Sequence, residues 1–249
     1  MKKNVIRITD KEIIKKKCFE LLLIVREICE KNHIWYSLAY GTMLGAVRHQ
    51  GYIPWDTDVD IYIYLPDKNA FRQAFSNSEN SGIILDNFDE QPHNTHSHDI
   101  IRFEEISTKD VHLDIYYLVG APSDYNEQRK FAKLTYVADH IIRSKHNRLR
   151  DCKKKNRPLV LCAKIIDYCF PDRVLKKYIS KLESKYDFEK AEYVISIANW
   201  GKPDSCIPKK VFKEMNQQRF YEAEFAIPCE YDSYLRRTYG DDYMTPRRY

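Results

Sequence analysis

Three aspartates at alternate positions, Asp56, Asp58 and Asp60, are the residues whose spacing first suggests chemistry. The residues from Asp58 to Leu65 alternate polar and apolar, as a β-strand does. Asp58 and Asp60 therefore share one strand face, roughly 6.5–7 Å apart. Ionised carboxylates so close repel one another, and burial makes each more costly. The pattern predicts that a cation compensates them.

A third carboxylate, Asp114, lies on the same face as His112 and Tyr116 in a later predicted strand. Three carboxylates from two adjacent strands suit Mg²⁺ or Mn²⁺, which prefer oxygen ligands and keep positions open for phosphate. Asp58, Asp60 and Asp114 are therefore the candidate catalytic residues and metal ligands. A solvated strand start is the alternative for the first two. The sequence leaves open whether Asp114 is the third ligand or a general base.

A glycine and a threonine, Gly41 and Thr42, stand between a predicted strand and a predicted helix. Glycine lets phosphate approach the backbone, and the helix N-terminus with the threonine hydroxyl can bind it. These two residues are candidate phosphate-binding residues. Arg48 and His49 follow within the same segment and are candidates for contact with phosphate or nucleotide.

The elements that must position these residues follow from hydrophobic periodicity. A capping box of Thr9 and Glu12 opens a predicted helix over 10–31. Further helices are predicted at 42–49, 70–75, from 124, and at 158–170, 172–185, 208–215 and 232–239. Strands are predicted at 34–40, 58–65, 83–85, 100–103, 111–119, 193–198 and 220–227. This order predicts an α/β fold with a sheet core and a helical elaboration.

Composition restricts the class of protein. The chain has 249 residues, 43% hydrophobic and 31% charged, which is typical of a soluble globular protein. A net charge of +5 is compatible with an anionic substrate, but neither the charge nor a motif favours nucleic-acid binding. No signal peptide is expected, and seven cysteines without a CxxC pair indicate a reducing cytoplasm.

Several segments together resemble the LicD/fukutin-related phosphotransferases of the nucleotidyltransferase-fold superfamily. The similarity lies in Gly41-Thr42, in the segments GAVRH (45–49), GYIPWD (51–56) and DVDI (58–61), in the strand around Asp114, and in the ending from Tyr231 to Asp241. It covers most of residues 10–245. Three positions depart from the family pattern. Gln50 stands where the family commonly has glycine, and Thr57 stands where it usually has another aspartate. The ending has one residue more than usual, Asp242, between Asp241 and Tyr243.

The resemblance implies a single LicD-like domain over 1–249. It would comprise a nucleotidyltransferase-like mixed sheet with flanking helices at about 10–120, a helical elaboration at about 124–190 and a strand and helix segment at about 191–249. It also implies metal-dependent transfer of a phospho-alcohol, phosphocholine first, from a CDP-linked donor such as CDP-choline. The acceptor would be a sugar hydroxyl of a capsule, teichoic acid or lipopolysaccharide glycan, free or lipid-linked, and CMP would leave.

Alternatives remain open at this stage. Within the fold, the transferred group could be ribitol, glycerol or ethanolamine phosphate, or a nucleotide from an NTP with release of pyrophosphate. A different class is an inactive scaffold on the same fold. Aromatic faces and a carboxylate suit a quaternary ammonium, so Trp55 and Asp56 are the candidate substrate-binding residues and favour choline.

Two further segments carry weaker signals. The polar run QPHNTHSH contains His93, His96 and His98, whose spacing allows a metal site but is more typical of a surface loop. Lys145 to Arg157 has seven basic residues against one aspartate. That run is typical of a solvated surface, with contact to an anionic glycan carrier or membrane as the functional alternative. The sequence thus predicts a cytoplasmic protein with a peripheral contact at the inner face of the membrane as a further option.

Overall fold

The computed structural model describes residues 6–90, 96–107, 111–144, 157–169 and 171–246. The helices are α1 (Lys11–Lys31), α2 (Tyr40–His49), α3 (Lys68–Ser76), α4 (Tyr125–Ser144), α5 (Arg157–Cys169), α6 (Asp172–Glu183) and α7 (Tyr231–Tyr239). The strands are β1 (Tyr36–Leu38), β2 (Val59–Tyr64), β3 (Ile83–Asp86), β4 (Asp99–Phe103), β5 (Leu113–Ala121), β6 (Tyr193–Ser196), β7 (Ile207–Pro208), β8 (Met215–Phe220) and β9 (Ala223–Pro228).

Within the described residues, seven strands form one mixed sheet and two form a separate hairpin. The main path runs β1-β2-β5-β4-β3, in which β2 and β5 are parallel and the other neighbours antiparallel. The end of β5 also pairs with β6, and β6 with β7. The predicted α/β class, with a mixed sheet and flanking helices, is confirmed.

The central strands β2 and β5 are buried along most of their length. Their apolar side chains lie in the larger of two core clusters, which also takes in the inner face of α1. A strand covered on both faces reads as a nearly continuous apolar run, and both strands do so after their second residue. That second residue is Asp60 in β2 and Asp114 in β5, and each is half-buried. The sheet therefore places its two carboxylates where its covered part begins.

A second, smaller core cluster fixes the helical part of the chain to the sheet. It joins the end of β5 and β6 to α4 and α6, through Val119, Ile195, Phe131, Ala138, Ile179 and Leu182. Burying these side chains holds α4 on the sheet. Its last turn lies near the start of β5, since Arg143 acts electrostatically on Asp114. Among the described helices, none is long and apolar enough to cross a bilayer.

Three local predictions differ from the structure. Asp10, not Thr9, caps α1, because its carboxylate accepts hydrogen bonds from the amides of Glu12 and Ile13. The predicted helix at 208–215 is only a short 3-10 turn at Lys209–Phe212. The predicted strand at 220–227 is instead the hairpin of β8 and β9. Its polar first strand lacks apolar alternation, and its turn at Tyr221 has a φ of 55° without glycine.

Candidate functional site

The pairing of β2 with β5 brings the predicted carboxylates together. Asp60 lies directly opposite Asp114 in the parallel register, and Asp58 precedes Asp60 by two residues at the exposed entrance to β2. Neighbouring strands are about 4.8 Å apart, so opposite side chains on one face are close neighbours. The convergence expected from alternation is present, while the roles of the three residues stay predictions.

The first turn of α2 is attached to the start of β2. The hydroxyl oxygen of Thr42 accepts a hydrogen bond from the amide of Asp60 at 2.8 Å, and the amide of Ala39 donates to the carbonyl of Asp60 at 2.9 Å. A Cβ on Gly41 would lie 2.9 Å from Oδ2 of Asp56, so a side chain there would displace that carboxylate. The helix N-terminus therefore faces an acidic surface, where its dipole favours anions.

The loop between α2 and β2 is ordered by its own polar groups. Oδ1 of Asp56 accepts hydrogen bonds from the amides of Thr57 at 2.9 Å and Asp58 at 3.3 Å. Gly45 allows this loop to pack on α2, because a Cβ there would collide with the carbonyl oxygen of Gly51. The aspartates and glycines of this segment thus form one packed unit.

The carboxylates are electrostatically unequal. Desolvation of the carboxyl group by the surrounding protein raises the pKa of Asp58, and the negative charge of Asp56 raises it further. Burial, followed by the charges of Asp114 and Asp58, raises the pKa of Asp60 well above its ordinary value. Burial also acts to raise the pKa of Asp114, but the neighbouring imidazoles, led by His98, bring it well below the ordinary range. The electrostatics therefore favour the ionised form of Asp114 and the protonated forms of Asp58 and Asp60.

Histidines surround Asp114. Nε2 of His98 lies 3.3 Å from Oδ1 of Asp114, and Nε2 of His112 lies 3.8 Å from the same oxygen. The hydroxyl of Tyr116 donates to Oδ2 of Asp114 at 3.3 Å, and its ring packs on His98 with centroids 4.4 Å apart. His98 is buried, contrary to the surface loop expected for it, because it directly precedes β4. His93 lies outside the described residues.

An arginine that no sequence motif indicates lies close to the carboxylates and histidines around Asp114. Arg143 in the last turn of α4 forms an ion pair with buried Asp139 at 2.9 Å. The hydroxyl of Ser97 donates to Asp139 at 2.5 Å, and Ser97 directly precedes His98. The positive charge of Arg143 also acts on Asp60 and Asp114. Its position depends on the tertiary packing of α4, and no local motif indicates it.

Arg48 and His49 are not brought to the carboxylates. They occupy the last turn of α2, and seven residues of helix separate Gly41 from Arg48 by about 10 Å. Arg48 donates from Nη1 to the carbonyl of Tyr243 at 2.6 Å and from Nε to His49 at 3.0 Å. Arg48 therefore holds the C-terminal segment, and the predicted phosphate contact of the pair stays a prediction.

Aromatic side chains line the other side of the site. The ring of Tyr40 packs between those of Tyr62 and Tyr116 at centroid distances of 5.2 and 5.1 Å. Tyr40 has a φ of 39°, in the left-handed region that favours glycine. Such strain persists where surrounding contacts impose it, here a bond from the Tyr40 hydroxyl to the carbonyl of Ala198 at 2.8 Å. Trp55 is half-buried against the main core, and its contact with substrate stays a prediction.

A cleft shares this aromatic wall. It is lined by Tyr40, Tyr62, Asn199, Trp200, Asp204 and Arg237, among others. The indole of Trp200 is 48% exposed and meets Tyr239 edge-on at a centroid distance of 5.8 Å. Asp204 accepts a hydrogen bond at its carbonyl from Arg237 at 3.0 Å. The cleft offers an exposed aromatic face, and the carboxylate of Asp204 beside it lies 3.8 Å from Nη2 of Arg237.

The residues present are compatible with a hard divalent cation. In the part of the chain that the structure describes, no three His, Cys, Asp or Glu side chains group closely enough to hold a metal alone. Mg²⁺ does not require such a group, because it is commonly bound by one or two carboxylates together with water and substrate phosphates. Asp60 and Asp114 are suitably opposed, and among the described residues buried Oδ1 of Asp114 has the imidazoles of His98 and His112 nearby, at 3.3 and 3.8 Å, but no hydrogen bond of good geometry.

Comparison with known proteins agrees with this geometry. Residues 33–151 match the family described as LicD/FKTN/FKRP, nucleotidyltransferase domain. Over 92% of its length, the chain is 24% identical to the lipopolysaccharide cholinephosphotransferase LicD of Haemophilus influenzae, and the match covers 89% of that protein.

Two shorter matches are to uncharacterised proteins of Rickettsia typhi and Rickettsia prowazekii. They are 43% and 40% identical over 67 residues, or 27% of the chain, and cover 21% and 25% of the two relatives. The long match and the family domain both include the carboxylate segment. By similarity, residues 33–151 therefore carry a LicD/FKTN/FKRP nucleotidyltransferase domain, and most of the chain is similar to a LicD protein.

Proposed function

We propose that this protein transfers a phospho-alcohol, phosphocholine first, from a CDP-linked donor to a sugar hydroxyl of a cell-surface glycan. The observation that carries the proposal is the direct opposition of Asp60 and Asp114 on parallel strands, with Asp58 at the entrance. The relative from Haemophilus influenzae, a lipopolysaccharide cholinephosphotransferase by name, supports the same reaction and a glycan of lipopolysaccharide type.

The carboxylates are proposed to act around a bound Mg²⁺ or Mn²⁺ ion. Asp60 and Asp114, with Asp58 at the entrance, would hold this ion together with water and the donor phosphates. The ion would supply charge neutralisation for the donor diphosphate and for the leaving oxygen. The acceptor hydroxyl oxygen forms a bond to the phosphorus that carries the alcohol. The bond from that phosphorus to the oxygen of CMP breaks, and CMP leaves with the electron pair.

The proton of the acceptor hydroxyl is assigned to Asp114. The lowered pKa of this carboxylate favours its ionised form, which would accept the proton and release it to solvent, while Nε2 of His98, 3.3 Å from Oδ1, orients it. Tyr116 holds the other oxygen of Asp114 at 3.3 Å and so fixes its orientation. We therefore assign Asp114 as both ligand and general base, and His98 as a positioning residue.

The diphosphate is proposed to lie between the N-terminus of α2 and Arg143. Gly41 leaves the first turn of the helix open to an anion, since nothing bulkier fits beside Asp56. Arg143 is 41% exposed at its side chain, and its ion pair with buried Asp139 holds it at the site. An arginine fixed in this way matches a phosphate better than a mobile lysine does.

The alcohol end of the donor is proposed to occupy the cleft of Tyr40, Trp200 and Asp204. A quaternary ammonium needs aromatic faces and a nearby negative charge and cannot donate conventional N–H hydrogen bonds. The exposed face of Trp200 supplies the aromatic surface. The same cleft is lined by Ser196, Asn199, Ser205 and Thr238, whose donors and acceptors a polyol could use. Phosphocholine is placed before ribitol or glycerol phosphate because the Haemophilus influenzae relative is a cholinephosphotransferase by name.

Product analysis tests the reaction. The protein with Mg²⁺, labelled CDP-choline and a glycan acceptor should release CMP and label the glycan, and no pyrophosphate should form when CTP replaces the donor. The Asp60→Asn variant should lose turnover by at least about a thousandfold. Pyrophosphate release from an NTP would favour the nucleotidyl-transfer alternative, and absence of any turnover or donor binding would favour a scaffold.

A thermal-shift panel tests the donor. With Mg²⁺ present, CDP-choline should stabilise the protein more than CDP, and more than CDP-glycerol or CDP-ribitol. Trp200→Ala should remove the advantage of CDP-choline over CDP, whereas Tyr125→Ala, at an exposed aromatic on α4 (61% exposed), should not. A polyol donor that alone stabilises beyond CDP would refute choline while leaving phosphotransfer intact.

A further inference from the structure

The outward face of α5 is apolar. Its exposed side chains include Leu161, Ile165 and Tyr168, which are 50%, 56% and 93% exposed. At 3.6 residues per turn, these three and Pro158, Cys162 and Cys169, all exposed, share an arc of about 120°. Exposed apolar patches of this kind mark contact surfaces. The opposite side of α5 packs on α4.

The next helix along the chain, α6, also packs on α4 and has exposed basic residues. Val174 and Tyr178 are exposed on it, and so are Arg173, Lys177 and Lys181, which follow one another at intervals of four residues. The acidic residue described in α6, Glu183, is buried and paired with Lys68 at 3.2 Å. The two helices, which both pack on α4, therefore expose an apolar strip on α5 and a row of positive charge on α6.

The remainder of the chain is poorly suited to cover this strip. Residues 145–156, which connect α4 to α5, contain six lysines and arginines but only Leu149 and Cys152 as apolar residues. The segments at 1–5 and 247–249 are also basic. A polar, cationic segment gains little by burying six apolar side chains and would add to the positive charge around them.

We propose that the outward faces of α5 and α6 form a docking surface for an anionic lipid bilayer. An interfacial helix buries its apolar face at the boundary between headgroups and acyl chains, and its basic residues attract anionic lipids. The strip on α5 and the cations on α6 provide both contributions. A second copy of this chain fits less well, because face-to-face packing would set Arg173, Lys177 and Lys181 of one copy near those of the other. The docking itself does not depend on the proposed reaction, since vesicle binding needs neither donor nor metal.

Vesicle sedimentation tests the surface. The full chain should pellet with vesicles of equal parts phosphatidylglycerol and phosphatidylethanolamine, and at least about tenfold more weakly with pure phosphatidylcholine. The double variant Leu161→Glu/Ile165→Glu should lose at least about tenfold in affinity for the anionic vesicles. Ile13→Glu, a matched change at an exposed isoleucine of α1 (48% exposed), should bind as the unmodified protein does.

A charge-reversal pair completes the test. Lys177→Glu/Lys181→Glu should weaken binding to anionic vesicles, whereas Lys190→Glu/Lys213→Glu, at exposed lysines elsewhere, should not. Circular dichroism and thermal melting establish that each variant is folded. Equal binding by the α5 variant and the unmodified protein would overturn the proposal. A second outcome would also overturn it. In that outcome the unmodified protein binds no vesicles, and light scattering shows that it is a dimer whereas the α5 variant is a monomer.

Discussion

At the scale of single residues, the site is a set of carboxylates held together at an electrostatic cost. Asp60 faces Asp114 across the strand pair, and the pKa of Asp60 is raised by burial and by these neighbouring charges. Packing and hydrogen bonds, such as that from the Asp60 amide to Thr42, supply the stability that offsets this repulsion. A folded state that resists ionisation of a carboxyl group is destabilised as pH rises.

The pH dependence of stability follows from this. The unfolded chain releases the Asp60 proton near the ordinary pKa of 3.8, whereas the folded protein retains it to higher pH. The free energy of unfolding of metal-free protein should therefore fall as pH rises above about 4, and Asp60→Asn should remove at least about 1 kcal/mol of that fall. Asp114 has the opposite shift: its lowered pKa adds stability as pH rises through the ordinary range near 3.8, so its effect ends by about pH 5, above which it is ionised in both states.

Urea unfolding in the presence of a chelator, from about pH 4 to about pH 8, measures this difference. Asp241→Asn, at a carboxylate that is 91% exposed, is the matched control and should follow the unmodified protein. Parallel curves for Asp60→Asn and the unmodified protein would contradict the electrostatic account of the cluster.

Gln50 carries local backbone strain. It ends α2 with a φ of 54°, at the position where the resemblance expected glycine. A side chain in this conformation costs about 1 kcal/mol, which a glycine does not pay. We therefore expect Gln50→Gly to raise the free energy of unfolding by about 0.5–1 kcal/mol. Gln73→Gly, at an exposed helical position in α3, should lower it by a similar amount, and a loss of stability in both would refute the interpretation.

At the scale of elements, alternation and helical spacing predicted the strands that carry the site but not everything around it. Asp60 and Asp114 could be placed on one face because period two fixes the side of a strand. His98 could not be placed, since its loop is polar and only the pairing of β4 with β5 brings it to Asp114. The hairpin of β8 and β9 was missed because its turn has neither glycine nor asparagine at the left-handed position.

One buried ion pair fixes β4, and with it His98. Asp99 is fully buried and accepts two hydrogen bonds from Arg72 of α3, both at 2.7 Å, and one from the hydroxyl of Tyr117 at 2.7 Å. Removing one partner of such a pair leaves an uncompensated charge in the interior. The bond between α3 and the first residue of β4 is therefore an anchor for the histidine beside the site.

We expect Arg72→Leu to lower the free energy of unfolding by about 3–5 kcal/mol, measured by chemical denaturation. Arg102→Leu breaks a comparable pair with Asp86, at 2.6 Å, between two half-buried side chains on the neighbouring strands. Its cost should be about 1 kcal/mol or less. Equal losses in the two variants would show that burial of Asp99 is not what makes its pair strong.

At the scale of the whole molecule, the C-terminal segment completes the site. The hydroxyl of Tyr234 in α7 lies 3.0 Å from that of Tyr62 and accepts from the amide of Tyr40 at 3.1 Å. Arg48 binds the carbonyl of Tyr243, so the two ends of α2 are both held by residues from the end of the chain. The sequence resemblance covers both α2 and the C-terminal segment. Only the fold shows that the two are in contact, because the spacing of residues within a helix does not indicate which distant segment packs on it.

Metal-dependent donor binding is the central claim, and calorimetry tests it most directly. CDP-choline should bind the unmodified protein with Mg²⁺ and at least about tenfold more weakly with a chelator, because the ion neutralises the diphosphate. Asp60→Asn and Asp114→Asn should bind weakly under both conditions, and Asp241→Asn should behave as the unmodified protein does. Equal affinity with and without Mg²⁺, or full metal dependence in Asp60→Asn, would contradict the account.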